Sequence, residues 1–133
     1  KDSDLLDSAS WKYTPPLPFN PEWIPPSWGN VSGLAYLEGN AVISFDGTLY
    51  NILRVRINPM INKACILQYD PTNFTLVFKQ FIDFPGGQTK FVIRPDAQSG
   101  YYISLSNPCT PEYPSARNVL VFSYSQDLFN WKV

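Results

Sequence analysis

The chain has 133 residues, a formal net charge of -1 and only 16% charged residues. That length holds one domain with a single core. No basic field points to nucleic acid, and no apolar run is long enough to span a membrane. With no histidine, Ser-His-Asp and Cys-His centres are excluded within the chain. Two isolated cysteines, Cys65 and Cys109, argue against a zinc site and leave open one disulfide or two buried thiols.

Aromatic residues make up 16% of the chain and there are 13 prolines. This composition favours strands and turns and disfavours helix, so the expected class is all-β. The chain opens on Lys1, and is expected to be a processed product or a piece of a longer protein. Residues 1–33 read as the end of a preceding unit and a connection. From Tyr13 to Trp28 that connection is dense in proline and aromatics, which forbids helix and a central strand. Two sequons, Asn30-Val31-Ser32 and Asn73-Phe74-Thr75, point to an extracellular or secretory location.

Residues 34–84 predict four strands: Leu37 to Phe45, Thr48 to Ile57, Lys63 to Tyr69, and Thr75 to Phe84. Turn signals at Asp46-Gly47, Asn58-Pro59 and Asp70-Pro71 divide them. Residues 85–133 predict strands over Thr89 to Arg94, Tyr101 to Asn107 and Asn118 to Tyr124, and a last one beginning near Trp131. Asp7, Asp70 and Asp127 each precede an aromatic four residues on, at spacings of roughly 60 residues. Val42-Ile43 matches Val92-Ile93, and Asn58-Pro59 matches Asn107-Pro108. Four strands per repeat is the pattern of β-propeller blades. The expected fold is therefore a β-propeller fragment: about two four-stranded antiparallel blades plus the edge of a third. Two such blades are expected to leave two apolar faces for further blades or other chains to cover. The repeated aspartates are expected to hold turns through side-chain to backbone hydrogen bonds.

Leu37-Glu38-Gly39-Asn40-Ala41-Val42 opens the innermost strand of its unit. It is similar to the Glu-Gly-Pro signature of five-bladed glycoside hydrolases of the arabinanase, β-xylosidase and invertase types, with Asn40 where those families usually carry proline. Ser125-Gln126-Asp127-Leu128-Phe129-Asn130-Trp131 looks like the Ser-x-Asp-Leu-x-x-Trp element that those enzymes repeat, and approaches the Asp-box of sialidases. Phe84 to Phe91 resembles a segment of sialidase-like propellers. The resemblance implies a ring of five or six blades whose substrate sits over the central axis. Glu38 to Asn40, Asn58 to Asn62, Gln88 to Lys90 and Asn107 to Arg117 would then line the pocket.

The resemblance puts Glu38 in the role of general acid, with the second carboxylate of the pair in blades outside this chain. The alternative for Glu38 is an ordinary pair with a nearby arginine. Asn40, Lys90, Asn107 and Arg117 are candidate substrate contacts, and Trp28 a candidate sugar platform. Lys90 and Arg117 are equally open to ordinary ion pairing, and for Arg54 and Arg56, which share a strand face, ion pairing is the favoured reading. For Trp28, pinning its loop to the core is the commoner role of such a residue. No metal and no cofactor is implied, and Gly86-Gly87 resembles no phosphate loop. The leading expectation is thus part of a glycoside hydrolase acting on a glycan, inactive without the rest of the ring. The alternatives are a propeller that binds a glycan or protein without chemistry, and a structural blade unit that assembles with itself.

Overall fold

The computed structural model describes residues 3–113 and 117–133. It is all-β, built from two antiparallel sheets that do not close into a barrel. The first sheet is a four-strand meander in sequence order: β1 Ser32–Ile43, β2 Leu49–Asn58, β3 Lys63–Asp70 and β4 Thr75–Asp83. The second holds β5 Val92–Asp96, β6 Tyr101–Ser106 and β7 Val121–Ser125, again in sequence order. Where the sequence predicts a further strand near Trp131, there is a single bridge between Tyr124 and Lys132. Among the described residues no helix is long and apolar enough to cross a membrane.

The predicted turn residues make the turns. Asp46 accepts from the Thr48 N–H at 2.9 Å, and Gly47 takes a positive φ of 89° that a side chain would strain. Asp70 accepts from the Thr72 N–H at 2.9 Å and from the Asn73 side chain at 2.8 Å. Asp127 repeats the arrangement, accepting from the N–H groups of Phe129 and Asn130 and from the Asn130 amide at 2.7 Å. Asp7 accepts from the Ala9 N–H. These are Asx-type turns, as expected of the repeated aspartates.

Alternation along the strands gives the first sheet two apolar faces. One carries Val42, Ile52, Ala64, Ile66 and Ile82, and packs with Phe84 against Ile93, Tyr102 and Leu128 of the second half. Phe84 is fully buried, with the rings of Phe91 at 4.5 Å and Trp131 at 4.8 Å. Asn40 ties the sheets at their edge. Its amide donates to the Phe91 carbonyl and accepts from the Ile93 N–H, both at 3.1 Å.

The other face of the first sheet carries Leu53, Val55, Ile57, Cys65 and Leu67. The expectation of two uncovered faces is corrected here, because the proline-rich segment folds back over this one. Leu17, Trp28 and Val31 pack on it, Trp23 stacks flat on Phe78 at 4.3 Å, and Phe19 meets Tyr36 edge-on at 5.1 Å. The segment crosses the sheet as a strap with single 3-10 turns at Pro21–Trp23 and Pro26–Trp28, and its prolines reduce the entropic cost of ordering it. The second sheet keeps an apolar outer face. Val92, Leu105 and Phe122 lie in one cross-strand row and are 39%, 47% and 54% exposed.

Truncating a fully buried ring at the junction of the sheets removes its transfer energy and leaves a cavity. Phe84→Ala should therefore destabilise the chain by about 3–5 kcal/mol, read as a lowered urea midpoint. A loss under about 1 kcal/mol would mean that the two sheets do not depend on each other.

Candidate functional site

The Glu-Gly pair has a physical reason to be where it is. Tyr36 lies opposite Val55 and Gly39 opposite Leu53, so Leu37 and Glu38 together face the single residue Arg54. This is a β-bulge, which re-aims a side chain out of the regular alternation and is common beside active sites. Gly39 permits the close approach that follows, since a Cβ there would lie 2.5 Å from the Ile52 carbonyl oxygen.

The bulge delivers the Glu38 carboxylate onto Arg54, with Oε1 2.5 Å from Nη1. Glu38 remains 55% exposed while the Arg54 side chain is 10% exposed, so a buried cation supports a carboxylate that solvent can reach. Lys90 stands 3.8 Å from the same oxygen, with its side chain 72% exposed. Arg54 is held from behind. Its Nη2 donates to the Gln88 main-chain carbonyl at 2.8 Å and its Nε to the same oxygen at 3.3 Å. Gln88 is itself buried, and its side-chain oxygen accepts from the Ile57 N–H.

The Glu38 carboxyl is held below its usual range. Its own main-chain N–H contributes most; desolvation, the next largest effect, pushes the other way, and the Arg54 hydrogen bond and charge and then the Lys90 charge add to the lowering. A proton donor for glycoside cleavage needs the opposite shift. At neutral pH this group is therefore a carboxylate, able to accept a proton or hydrogen bonds, or to face a developing positive charge.

Glu38 and Lys90 are thus brought together. Of the other predicted contacts, Asn40 spends both ends of its amide on Phe91 and Ile93 between the sheets. Asn107 donates to the Val119 carbonyl at 2.7 Å, and its own carbonyl accepts from the Thr89 hydroxyl. Trp28 packs on Phe81 at 4.9 Å, with the Lys63 ammonium 5.8 Å from its ring centre, so it pins the strap to the sheet. Arg117 is exposed. Residues 114–116 of the Asn107 to Arg117 region lie outside the described residues. Arg56 donates to the Gly33 carbonyl at 2.8 Å. Cys65 and Cys109 are free thiols, and burial pushes Cys65 up to about 12.

Sequence reasoning missed Gln88 as the support of Arg54, and Asn62 as a tie between segments. The Asn62 amide oxygen accepts from the N–H groups of Gly86 and Cys109, and its nitrogen donates to the Cys109 carbonyl. The larger clefts lie away from Glu38. One of about 350 Å³ is lined by Phe45, Asp46, Tyr50, Tyr102, Asp127 and Phe129 among others. Glu38 stands on open surface by comparison, a position that needs further walls to enclose a ligand.

No family model, no curated protein and no solved structure matches the chain.

Glu38, Asp46, Asp70, Asp96 and Asp127 are all held below their usual values. For the aspartates of the turns the main lowering contacts are Ser44 for Asp46, Asn73 for Asp70 and Ser99 for Asp96; for Asp127 burial is the largest single effect and raises, and the hydrogen bonds from Asn130, Phe129 and Ser125 together outweigh it. A carboxylate depressed in the folded state contributes stability above its unfolded pKa, near 4, and loses it as pH falls through the folded value. With no histidine to titrate, the urea midpoint should stay level from neutral pH to about pH 5 and fall below about pH 4. A midpoint that rises on acidification would contradict these contacts.

Proposed function

We propose that the chain forms two consecutive blades of a carbohydrate-handling β-propeller, and that Glu38 is one carboxylate of a glycoside-hydrolysing pair. The observation that carries this reading is the bulge at Leu37-Glu38, which sets a half-exposed carboxylate on a buried guanidinium at the edge where the two sheets adjoin. Bulges that re-aim a side chain are over-represented at sheet edges and beside active sites. The two meanders in sequence order, stacked through one apolar face, support the blade assignment. The open row Val92, Leu105 and Phe122 supports a further blade beyond the second sheet.

Within this reading Glu38 does not keep the proton-donor role that the family resemblance implies. Its environment favours the ionised form, so it is assigned to the base or nucleophile side of the pair. The proton donor then comes from another blade. Lys90, beside it and largely in solvent, is placed to meet substrate hydroxyls or a substrate carboxylate.

One observation favours a second reading, a propeller that binds glycans without cleaving them. Arg54 already satisfies Glu38 at 2.5 Å, as in a structural ion pair. The two readings separate on one variant assayed against a panel of aryl glycosides and oligosaccharides in the complete ring. Under the hydrolase reading Glu38→Gln lowers kcat by about 10²–10⁴-fold while glycan affinity is largely kept. Turnover that survives the substitution would remove Glu38 from catalysis, and glycan binding without turnover in the unaltered protein would establish the binding reading.

A further inference from the structure

Arg54 presents a guanidinium whose two ends do different things. Nη1 faces Glu38, while Nη2 and Nε both meet one carbonyl oxygen, that of Gln88. A planar fork fixed at one end can offer its remaining N–H in only one direction. The orientation of Arg54 therefore depends on where the Gln88 carbonyl is held.

That carbonyl belongs to the connection between the two sheets, and the connection is wedged in place. Gly86, Gly87, Gln88 and Thr89 are all buried. Gly86 has φ 75°, and a Cβ on it would lie 2.7 Å from the Asn107 carbonyl oxygen. A Cβ on Gly87 would lie 2.1 Å from the Lys63 carbonyl oxygen. The Thr89 hydroxyl bridges the Gly86 and Asn107 carbonyls at 2.9 and 2.8 Å, and the Ile57 N–H holds the Gln88 side chain at 3.3 Å. These contacts come from β2, β3 and the loop after β6, so both sheets fix the position of one oxygen atom.

We propose that Arg54 is a positioning residue: the glycine-lined connection fixes the Gln88 carbonyl, that carbonyl orients the guanidinium, and the guanidinium holds Glu38 as an anion in one direction at the site. The packing of the two sheets thereby orients the carboxylate and adds to the hold of its own main-chain N–H on the ionised form. The charged groups that face Glu38 are Arg54 from β2 and Lys90 from the connection. Lys90 is the weaker influence, because it is farther away and mostly solvated. The role of Arg54 in catalysis rests on the reading of Glu38 as a functional carboxylate, but its hold on Glu38 can be measured without substrate.

The test is the titration of the Glu38 side-chain carboxyl by ¹³C NMR in the chain and in three variants, with a thermal melt to show that each is folded. Arg54→Met should move the midpoint up towards the ordinary glutamate value. Arg54→Lys, which keeps the charge and loses the fork, should fall between, and Lys90→Met should leave the midpoint close to its starting point. A folded Arg54→Met with an unmoved midpoint overturns the proposal, and so does a larger shift from Lys90→Met than from Arg54→Met. In the complete ring the acidic limb of the kcat/KM profile should move up in the same order. A carboxyl midpoint that moves while no variant or parent cleaves a glycoside leaves the Arg54 assignment standing and removes the hydrolase reading alone.

Discussion

Phe84 is fully buried at the point where the first sheet ends and the connection to the second begins, and the contact it centres on holds the two halves together. Each sheet alone is a meander with apolar residues on both faces, which is not a stable object in water. Stacking Val42, Ile52, Ile66 and Ile82 against Ile93, Tyr102 and Leu128 removes one face of each from solvent. The polar ties follow from that approach. Asn40 can span to Phe91 and Ile93, and Asn62 to Gly86 and Cys109, only because the sheets are already close.

The same contact places the candidate site. Gln88 lies on the connection between the sheets, and its carbonyl supports Arg54, which in turn supports Glu38. A bulge in β1 supplies the carboxylate and the packed junction supplies the carbonyl that orients its arginine partner. The site is therefore tertiary in origin although its acid lies on an edge strand of one sheet.

Much of this was legible in the residues. The strands of the first sheet lie over the predicted ranges, with β1 beginning earlier, at Ser32, and ending at Ile43 instead of Phe45. Turn chemistry fixed those limits, because Asp46-Gly47 and Asp70-Pro71 can serve few other conformations. The ion pair between Glu38 and Arg54 agrees with the alternative named for the acid and with the favoured reading of the arginine. Other features had no local signature. A bulge adds one residue to a pattern of period two, and a pattern of single residues does not show which partner it opposes. The strap over the first sheet depends on the stacking of Trp23 on Phe78, a contact between segments far apart in the chain. The match of Val42-Ile43 with Val92-Ile93 was misleading. Val42 pairs with Tyr50 near the hairpin, whereas Val92 pairs with Leu105 at the far end of its ladder, so the two do not hold equivalent positions.

The most direct test of the junction as the organising contact is native-state hydrogen exchange at single amides of both sheets. If the account holds, the central amides of β2 and β3, such as Ile52 and Ile66, and those of β6, such as Ser104, open together, with one free energy and one denaturant dependence. If β6 opens at much lower cost while β2 and β3 stay protected, the second sheet is a separate unit, and neither the fold nor the site depends on the junction.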